Sequence, residues 1–321
     1  MGSFQPYYQN NKISSIKSLS LALEIPEDVL IRISKNTDKF YFQNTPIIKP
    51  NGKERITYSV RPPLKPIHEK IKTNIFHNVC FPSYLQGAIK SDETARDYIY
   101  DALIHSKNKF FISEDISNFF PSITYDRVYE MWLHFFKFSK PVSELLAKLT
   151  TYNGLVPQGS KTSSYIANLL FWKQEGHFVE QLQKEGITYT RFVDDITLSS
   201  MHFISDKEKS KIISGLYGMM LSIGVKPNRK KHFIGSCKNN VQIHNINVGG
   251  KSPSLGKEKL NSIRISVYNC IKLAHKQGTT GKEYLKQYTS TMSKLGQMSR
   301  LHPQKSIKYK IELSQYKPTK S

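Results

Sequence analysis

Two strand-forming runs interrupted by a pair of acids constrain this chain more than any other feature. From Ile187 to Ser200 the residues read Ile-Thr-Tyr-Thr-Arg-Phe-Val-Asp-Asp-Ile-Thr-Leu-Ser-Ser, β-branched and aromatic except around Asp194 and Asp195. The flanks favour extended backbone. Adjacent aspartates are poor strand interiors and good turns, so the segment is expected to form a β-hairpin with both acids at its tip. Two carboxylates on a rigid support suit an oxygen-liganded cation such as Mg²⁺, although an Asp pair in a tight turn also serves purely as local hydrogen bonding.

A third acid stands upstream. Phe110-Phe-Ile-Ser-Glu-Asp115-Ile-Ser-Asn-Phe-Phe-Pro reads as an apolar strand ending at Asp115, with Glu114 pointing to the opposite face and so excluded from the same site. Between the acids, Asn153-Gly-Leu-Val-Pro-Gln-Gly-Ser-Lys-Thr-Ser-Ser-Tyr-Ile-Ala-Asn168 predicts a loop opening a helix, whose first amides face anionic phosphate. Phosphoryl transfer needs carboxylates from separate segments to hold two divalent ions. Acid, Gln-Gly loop and acid pair occur here in that order.

This order resembles that of reverse transcriptases, whose palm carries an Asp followed by two aromatics, a Pro-Gln-Gly segment, and an aromatic-x-Asp-Asp hairpin. Val225-Lys-Pro-Asn-Arg-Lys-Lys231 is similar to the family's Asn-x-x-Lys element, and Asn51-Gly-Lys-Glu-Arg55-Ile-Thr-Tyr-Ser-Val-Arg61-Pro-Pro to its fingers segment. The resemblance spans about residues 40 to 250. It implies an α+β right-hand polymerase with fingers (1–106, including N-terminal helices), an antiparallel palm sheet (107–248) and a basic helical thumb (249–321). It implies that Asp115 and Asp194 hold two Mg²⁺ ions with Asp195 assisting, that Phe120 lies under the sugar of the incoming deoxynucleotide, and that Gln158 and Gly159 line its pocket. Lys231, Lys53 and Arg55 are expected at the triphosphate. Phe120 also reads as a core residue beside Phe119, and the basic residues as solvent-facing charge.

Within the family, retron enzymes carry Asn-Ala-x-x-His before the first acid, and this chain has Asp101-Ala-Leu-Ile-His105. Their Val-Thr-Gly beyond the palm is replaced by Ile243-His244-Asn245. His105 is expected to be structural or RNA-positioning, and His244 and Asn245 to sit in the RNA-recognising region. A chain of 321 residues accommodates fingers, palm and thumb, without a fused nuclease or maturase module. The resemblance therefore implies an RNA-directed DNA polymerase working on a partner noncoding RNA, primed from a 2′-hydroxyl, with dNTPs as substrates, a branched cDNA product and a separate effector in antiphage defence. Alternative readings are an intron-type or abortive-infection polymerase, or an RNA-DNA scaffold restraining an effector.

Charge agrees with a polyanionic partner. Lys and Arg total 47 against 25 Asp and Glu, a net +22, and the stretch from Lys251 onward holds 15 Lys and Arg against three Glu. Such excess neutralises phosphates with little sequence preference. Leu260, Ile263, Val267, Ile271 and Ala274 recur at helical spacing, predicting an amphipathic helix that turns Lys257, Lys259, Arg264 and Lys272 to water. Tyr284, Tyr288, Tyr309 and Tyr316 read as core residues or as stacking surfaces. Cys80, Cys237 and Cys270 have neither metal-ligand spacing nor a disulfide pattern. The N-terminus lacks a signal-like segment, and Pro6 breaks the myristoylation pattern after Gly2, so a cytoplasmic protein without membrane association is expected.

Two short helices broken at Pro26 are predicted over 14–34, strands at Lys39–Phe42 and Arg55–Val60 around an Asn51-Gly52 turn, and a helix over 66–76. Further helices are predicted over 125–138 and 163–182, with a hinge over 249–256.

Overall fold

The computed structural model describes residues 4–49, 52–91, 95–250 and 252–319; Asn51, Lys251 and the first three residues lie outside these. A five-stranded sheet forms from β1 (Leu85–Gln86), β2 (Phe110–Asp115), β3 (Ile187–Phe192), β4 (Asp195–Ser200) and β5 (Phe233–Ser236), in spatial order β5-β2-β4-β3-β1. β3 and β4 are the antiparallel hairpin, paired from Asp195 opposite Phe192 to Ser200 opposite Ile187. The edge strand β1 adds to β3 in parallel, a pairing beyond the antiparallel sheet expected. The apolar lead of β2 and the interior of β4 are buried, because helices cover the sheet and leave no wet face at its centre.

By contact the chain falls into two compact units, Met1–Asp97 with Ile112–Ile234 and Tyr98–Phe111 with Gly235–Ser321. In the first, α1 (Ile16–Leu23) starts at Ser15, whose side chain accepts the Ser18 amide, and α2 (Glu27–Ser34) begins after Pro26. Both match expectation, since Ser satisfies an orphan N–H and Pro fits a helix start. The predicted strand over 55–60 is two: Glu54–Arg55 pairs with Ile47–Ile48, and Tyr58–Val60 with Tyr41–Gln43. Helix α3 (Leu64–Asn74) follows. Gly52 has φ +75° and donates its amide to the Lys49 carbonyl, as a tight turn requires.

Beyond α4 (Tyr98–Ile104), which belongs to the second unit, come α5 (Tyr125–Glu130), α6 (Lys140–Thr150), α7 (Ser163–Leu169), α8 (Glu175–Lys184) and α9 (Asp206–Ser222). Trp132, Phe76, Phe136 and Phe138 stack into one aromatic core. Removing a fully buried ring such as Trp132 costs about 3–5 kcal/mol. The single helix expected over 163–182 is broken between α7 and α8. Ala167 and Asn168 carbonyls accept the Arg191 guanidinium at 3.4 and 3.0 Å, and three-residue turns carry the chain through Phe171.

The second unit pairs α4 with a short meander, Gln242–Ile243, Ile246–Asn247 and Ser254–Leu255; the last strand lies in the segment expected as a hinge. Three helices follow, α10 (Lys257–Gln277), α11 (Lys282–Leu301) and α12 (Pro303–Ser314). Ile263, Val267, Cys270 and Ala274 of α10 pack with Tyr284, Leu295, Met298 and Leu313, while Lys257, Lys259, Arg264 and Lys272 are exposed. The helical period therefore read correctly. Tyr284 is buried and donates to the Tyr316 carbonyl, and Tyr288, Tyr309 and Tyr316 pack against this core. Among the described residues the three cysteines are unbridged and no helix is long and apolar enough to cross a membrane.

Candidate active site

Asp115 ends β2 and is buried. Immediately after it, the Ile116 amide donates to the Asp194 carbonyl at 3.0 Å, which brings acids 79 positions apart to one end of the sheet. The hairpin turns through Val193 and Asp194 alone, and Asp195 is already the first residue of β4. The pair expected at one tip is thus split between turn and strand.

These carboxylates crowd each other. Burial, and then the neighbouring Asp115, raise the Asp194 pKa, with Lys231 and Arg55 opposing. Burial and Asp194 push Asp195 up to about 6. Excess negative charge at this spot is what a cation relieves.

The Asn-x-x-Lys element supplies the compensating groups. Asn228 donates its side-chain amide to Asp115 Oδ2 at 2.9 Å and its backbone N–H to the Asp115 carbonyl at 2.7 Å. Lys231 Nζ stands 2.5 Å from Asp115 Oδ1 and 3.8 Å from Asp195 Oδ1. Burial disfavours its charge, but the hydrogen bond and attraction of Asp115 outweigh that and leave its pKa raised. Next to it, His232 Nδ1 meets Glu114 Oε1 at 2.5 Å, and Tyr217 shares the same carboxylate. Alternation along β2 turns Asp115 and Glu114 to opposite faces, where Lys231 and His232 meet them.

Of the other predicted residues, Phe119 is core, stacked on Phe171, whereas Phe120 is partly exposed. The Gln158 carbonyl accepts the Tyr58 amide at 2.7 Å. Gly159 has φ +112°, and a Cβ there would meet the Tyr58 carbonyl oxygen at 2.6 Å. The close approach that requires glycine is therefore to the Tyr58 backbone. Lys53 and Arg55 are exposed, and the Arg55 charge is felt at Asp194.

Residues 47–250 match the family model described as reverse transcriptase (RNA-dependent DNA polymerase). The chain is 35% identical to the retron Se72 reverse transcriptase of Salmonella heidelberg (strain 579083-10), over 98% of its own length and 82% of the relative's. It belongs to the retron reverse transcriptases. The retron Ec48 reverse transcriptase of Escherichia coli is 32% identical, covering 100% of this chain and 81% of that one. Among solved structures, apo telomerase from Candida tropicalis is similar with a TM-score of 0.42 and 11% identity, over 72% of this chain and 61% of that one. The enzyme is an RNA-directed DNA polymerase of right-hand, α+β fold, and its substrates are an RNA template and dNTPs.

Reverse transcriptases work with divalent ions, and the donor set here fits them: three carboxylates, all oxygen, with raised pKa values at two. Among the described residues no three such side chains are already gathered as a metal cage. Lys231 instead sits as a cation on Asp115.

In the second unit His244 Nε2 meets Asp101 Oδ2 at 2.7 Å, and the other Asp101 oxygen is buried with no hydrogen-bond partner. His105 is fully buried, and burial lowers its pKa to about 4, with Asp101 opposing. The two places where the chain departs from the retron pattern, Asp101 and His244, thus touch each other. Asn245 is exposed on the same turn.

Sequence reading missed Arg191 and Glu175, a buried ion pair behind the hairpin with Nε–Oε1 at 2.6 Å. Its signal was an arginine at an inward position of a buried strand. Asn228 was inside a recognised motif whose lysine alone had been given a role.

Proposed function

We propose that this enzyme copies a structured partner RNA into DNA from a 2′-hydroxyl of a guanosine within that RNA, giving a branched product that acts with a separate effector in antiphage defence. Lys231 standing against Asp115 and Asp195, with the Asp194 carbonyl on the Ile116 amide beside them, is the observation that carries the catalytic part of this reading. Asp115 and Asp194 would hold two Mg²⁺ ions, with Asp195 assisting. Bound there, the ions acidify the priming hydroxyl and offset triphosphate charge. Lys231, released from Asp115, reaches the triphosphate, with Arg55 and Lys53 approaching from the fingers. Phe120 excludes a 2′-hydroxyl on the incoming nucleotide, and Gln158 and Gly159 shape its pocket by anchoring on Tyr58.

The partition into fingers (1–106), palm (107–248) and thumb (249–321) belongs to the same reading. Lys257, Lys259 and Arg264 would grip the duplex backbone from α10. His105, His244 and Asn245 would shape the surface that selects the RNA. The test is to express the gene with its upstream flank and probe for a short RNase-resistant DNA. A discrete, debranchable DNA that vanishes with D194N supports the reading. A purified protein that extends a supplied primer on any RNA, with no such DNA in cells, sinks the self-priming part.

A further inference from the structure

Val193 is the conformational anomaly of the active site. Its φ is +60°, a region where a β-branched side chain is a genuine outlier. It occupies the first central position of a two-residue hairpin turn, where this backbone normally selects glycine. Something outside the turn must hold it.

Arg191 reaches it from two residues earlier. Its guanidinium is fully buried and donates through Nη1 to the Val193 carbonyl at 3.0 Å, and through Nη2 to the Asn168 carbonyl at 3.0 Å. Glu175 aligns it with Nε–Oε1 at 2.6 Å and Nη2–Oε2 at 2.8 Å, and Tyr189 donates to the same carboxylate at 2.7 Å. Phe171 lies under the guanidinium, its centroid 5.1 Å away.

The Val193 carbonyl belongs to the planar peptide that precedes Asp194. The peptide that follows Asp194 is held through its own carbonyl by the Ile116 amide. With both flanking planes fixed, the direction of the Asp194 Cα–Cβ bond is fixed. We propose that Arg191 is a positioning residue: it holds the strained Val193 turn so that Asp194 points at the catalytic ions, and Glu175 in turn orients Arg191. This rests on the assignment of Asp194 as a metal ligand.

Stability alone does not account for the arrangement. A buried ion pair is often matched or bettered by apolar residues of similar volume, but those cannot bond the Val193 carbonyl. Lysine carries the charge without the planar fork that serves Glu175 and three carbonyls together.

The experiment compares wild type, R191K, V193G and R191K/V193G for single-nucleotide incorporation, for Mn²⁺ affinity by electron paramagnetic resonance, and for folded fraction by circular dichroism. R191K should slow incorporation about 100-fold through misplacement of the ligand and weaken Mn²⁺ about tenfold, as loss of an outer support does. Glycine accepts positive φ without strain, so adding V193G to R191K should recover about tenfold of the rate and most of the Mn²⁺ affinity, a non-additivity expected only of coupled sites. An equal R191K loss with and without V193G, tracking folded fraction, overturns the proposal. If R191K does not fold, R191M/E175Q removes both charges while keeping a partner for Tyr189; folded protein with wild-type rate and Mn²⁺ affinity would overturn it equally. D194N separates the two assignments. Full activity in D194N removes the metal-ligand role itself, whereas an inert D194N beside an unaffected R191K removes only the clamp.

Discussion

Among the described residues, two of the hairpins formed between strands turn through two residues without glycine. In the catalytic hairpin, Val193 takes φ +60° while Asp194 stays at negative φ. In the second unit's hairpin, Gln242–Ile243 against Ile246–Asn247, both turn residues are left-handed, His244 at +51° and Asn245 at +63°. Asn and His visit that region far more readily than Val, so the second turn agrees with its own sequence. The first conflicts with its own sequence and is held by Arg191 across to α7 and α8. Local conflict concentrates where geometry serves chemistry.

The largest expected contrast is catalytic. D194N should lower primer extension about 10⁴-fold, as loss of an essential catalytic group does, without loss of folded protein. An extension rate within tenfold of wild type would remove the first hairpin's claim to be the chemical one.

The second hairpin is expected to answer in stability. H244A strands the Asp101 carboxylate, which is 1% exposed, and breaking such a pair costs about 3 kcal/mol. D101N/H244A should recover most of that, because no buried charge is then left alone. Chemical denaturation measures both, and additive losses would show that Asp101 and His244 are independent departures from the family pattern.

Acid tests both units. Burial lowers His68 in the first and His105 in the second from 6.5 to about 4. Each binds its proton more readily when unfolded, so stability is full above pH 6.5 and falls as pH drops toward 4. From pH 7 to 5 the loss is about 2 kcal/mol for each histidine. Thermal melts across that range check it, and a Tm unchanged between pH 7 and 5 would contradict the buried neutral state.

Smallest and sharpest is N245V, which places in the second turn the residue type that the first one tolerates. Valine in that left-handed position should cost about 1–2 kcal/mol. An unchanged melting curve would mean that the left-handed turn needs no clamp, and the contrast between the hairpins would dissolve.

Much of the catalytic region was legible in sequence because its signals are local. Alternating β-branched residues around Asp194 and Asp195, the apolar run ending at Asp115, and the period of Leu260, Ile263, Val267, Ile271 and Ala274 each reflect one element burying one face. What failed did so where tertiary contacts outweighed period. The pattern over 163–182 is continuous, yet the helix ends at Leu169 because Arg191 takes the carbonyls of Ala167 and Asn168. The contact of Lys231 with Asp115, 116 positions away, had no local pattern to announce it.

By itself, then, the sequence determined which acids exist, that two of them sit beside a hairpin turn, that the order of motifs is that of a reverse transcriptase, and that a basic amphipathic helix follows. Only the tertiary structure decided that Asp194 and not Asp195 lies in the turn, that Arg191 and Glu175 stand behind it, and that Asp101 and His244 are partners. The reason is physical: strands and helices arise from interactions between near neighbours, whereas a buried charge finds its partner only when packing excludes water and leaves one geometry in which both are satisfied.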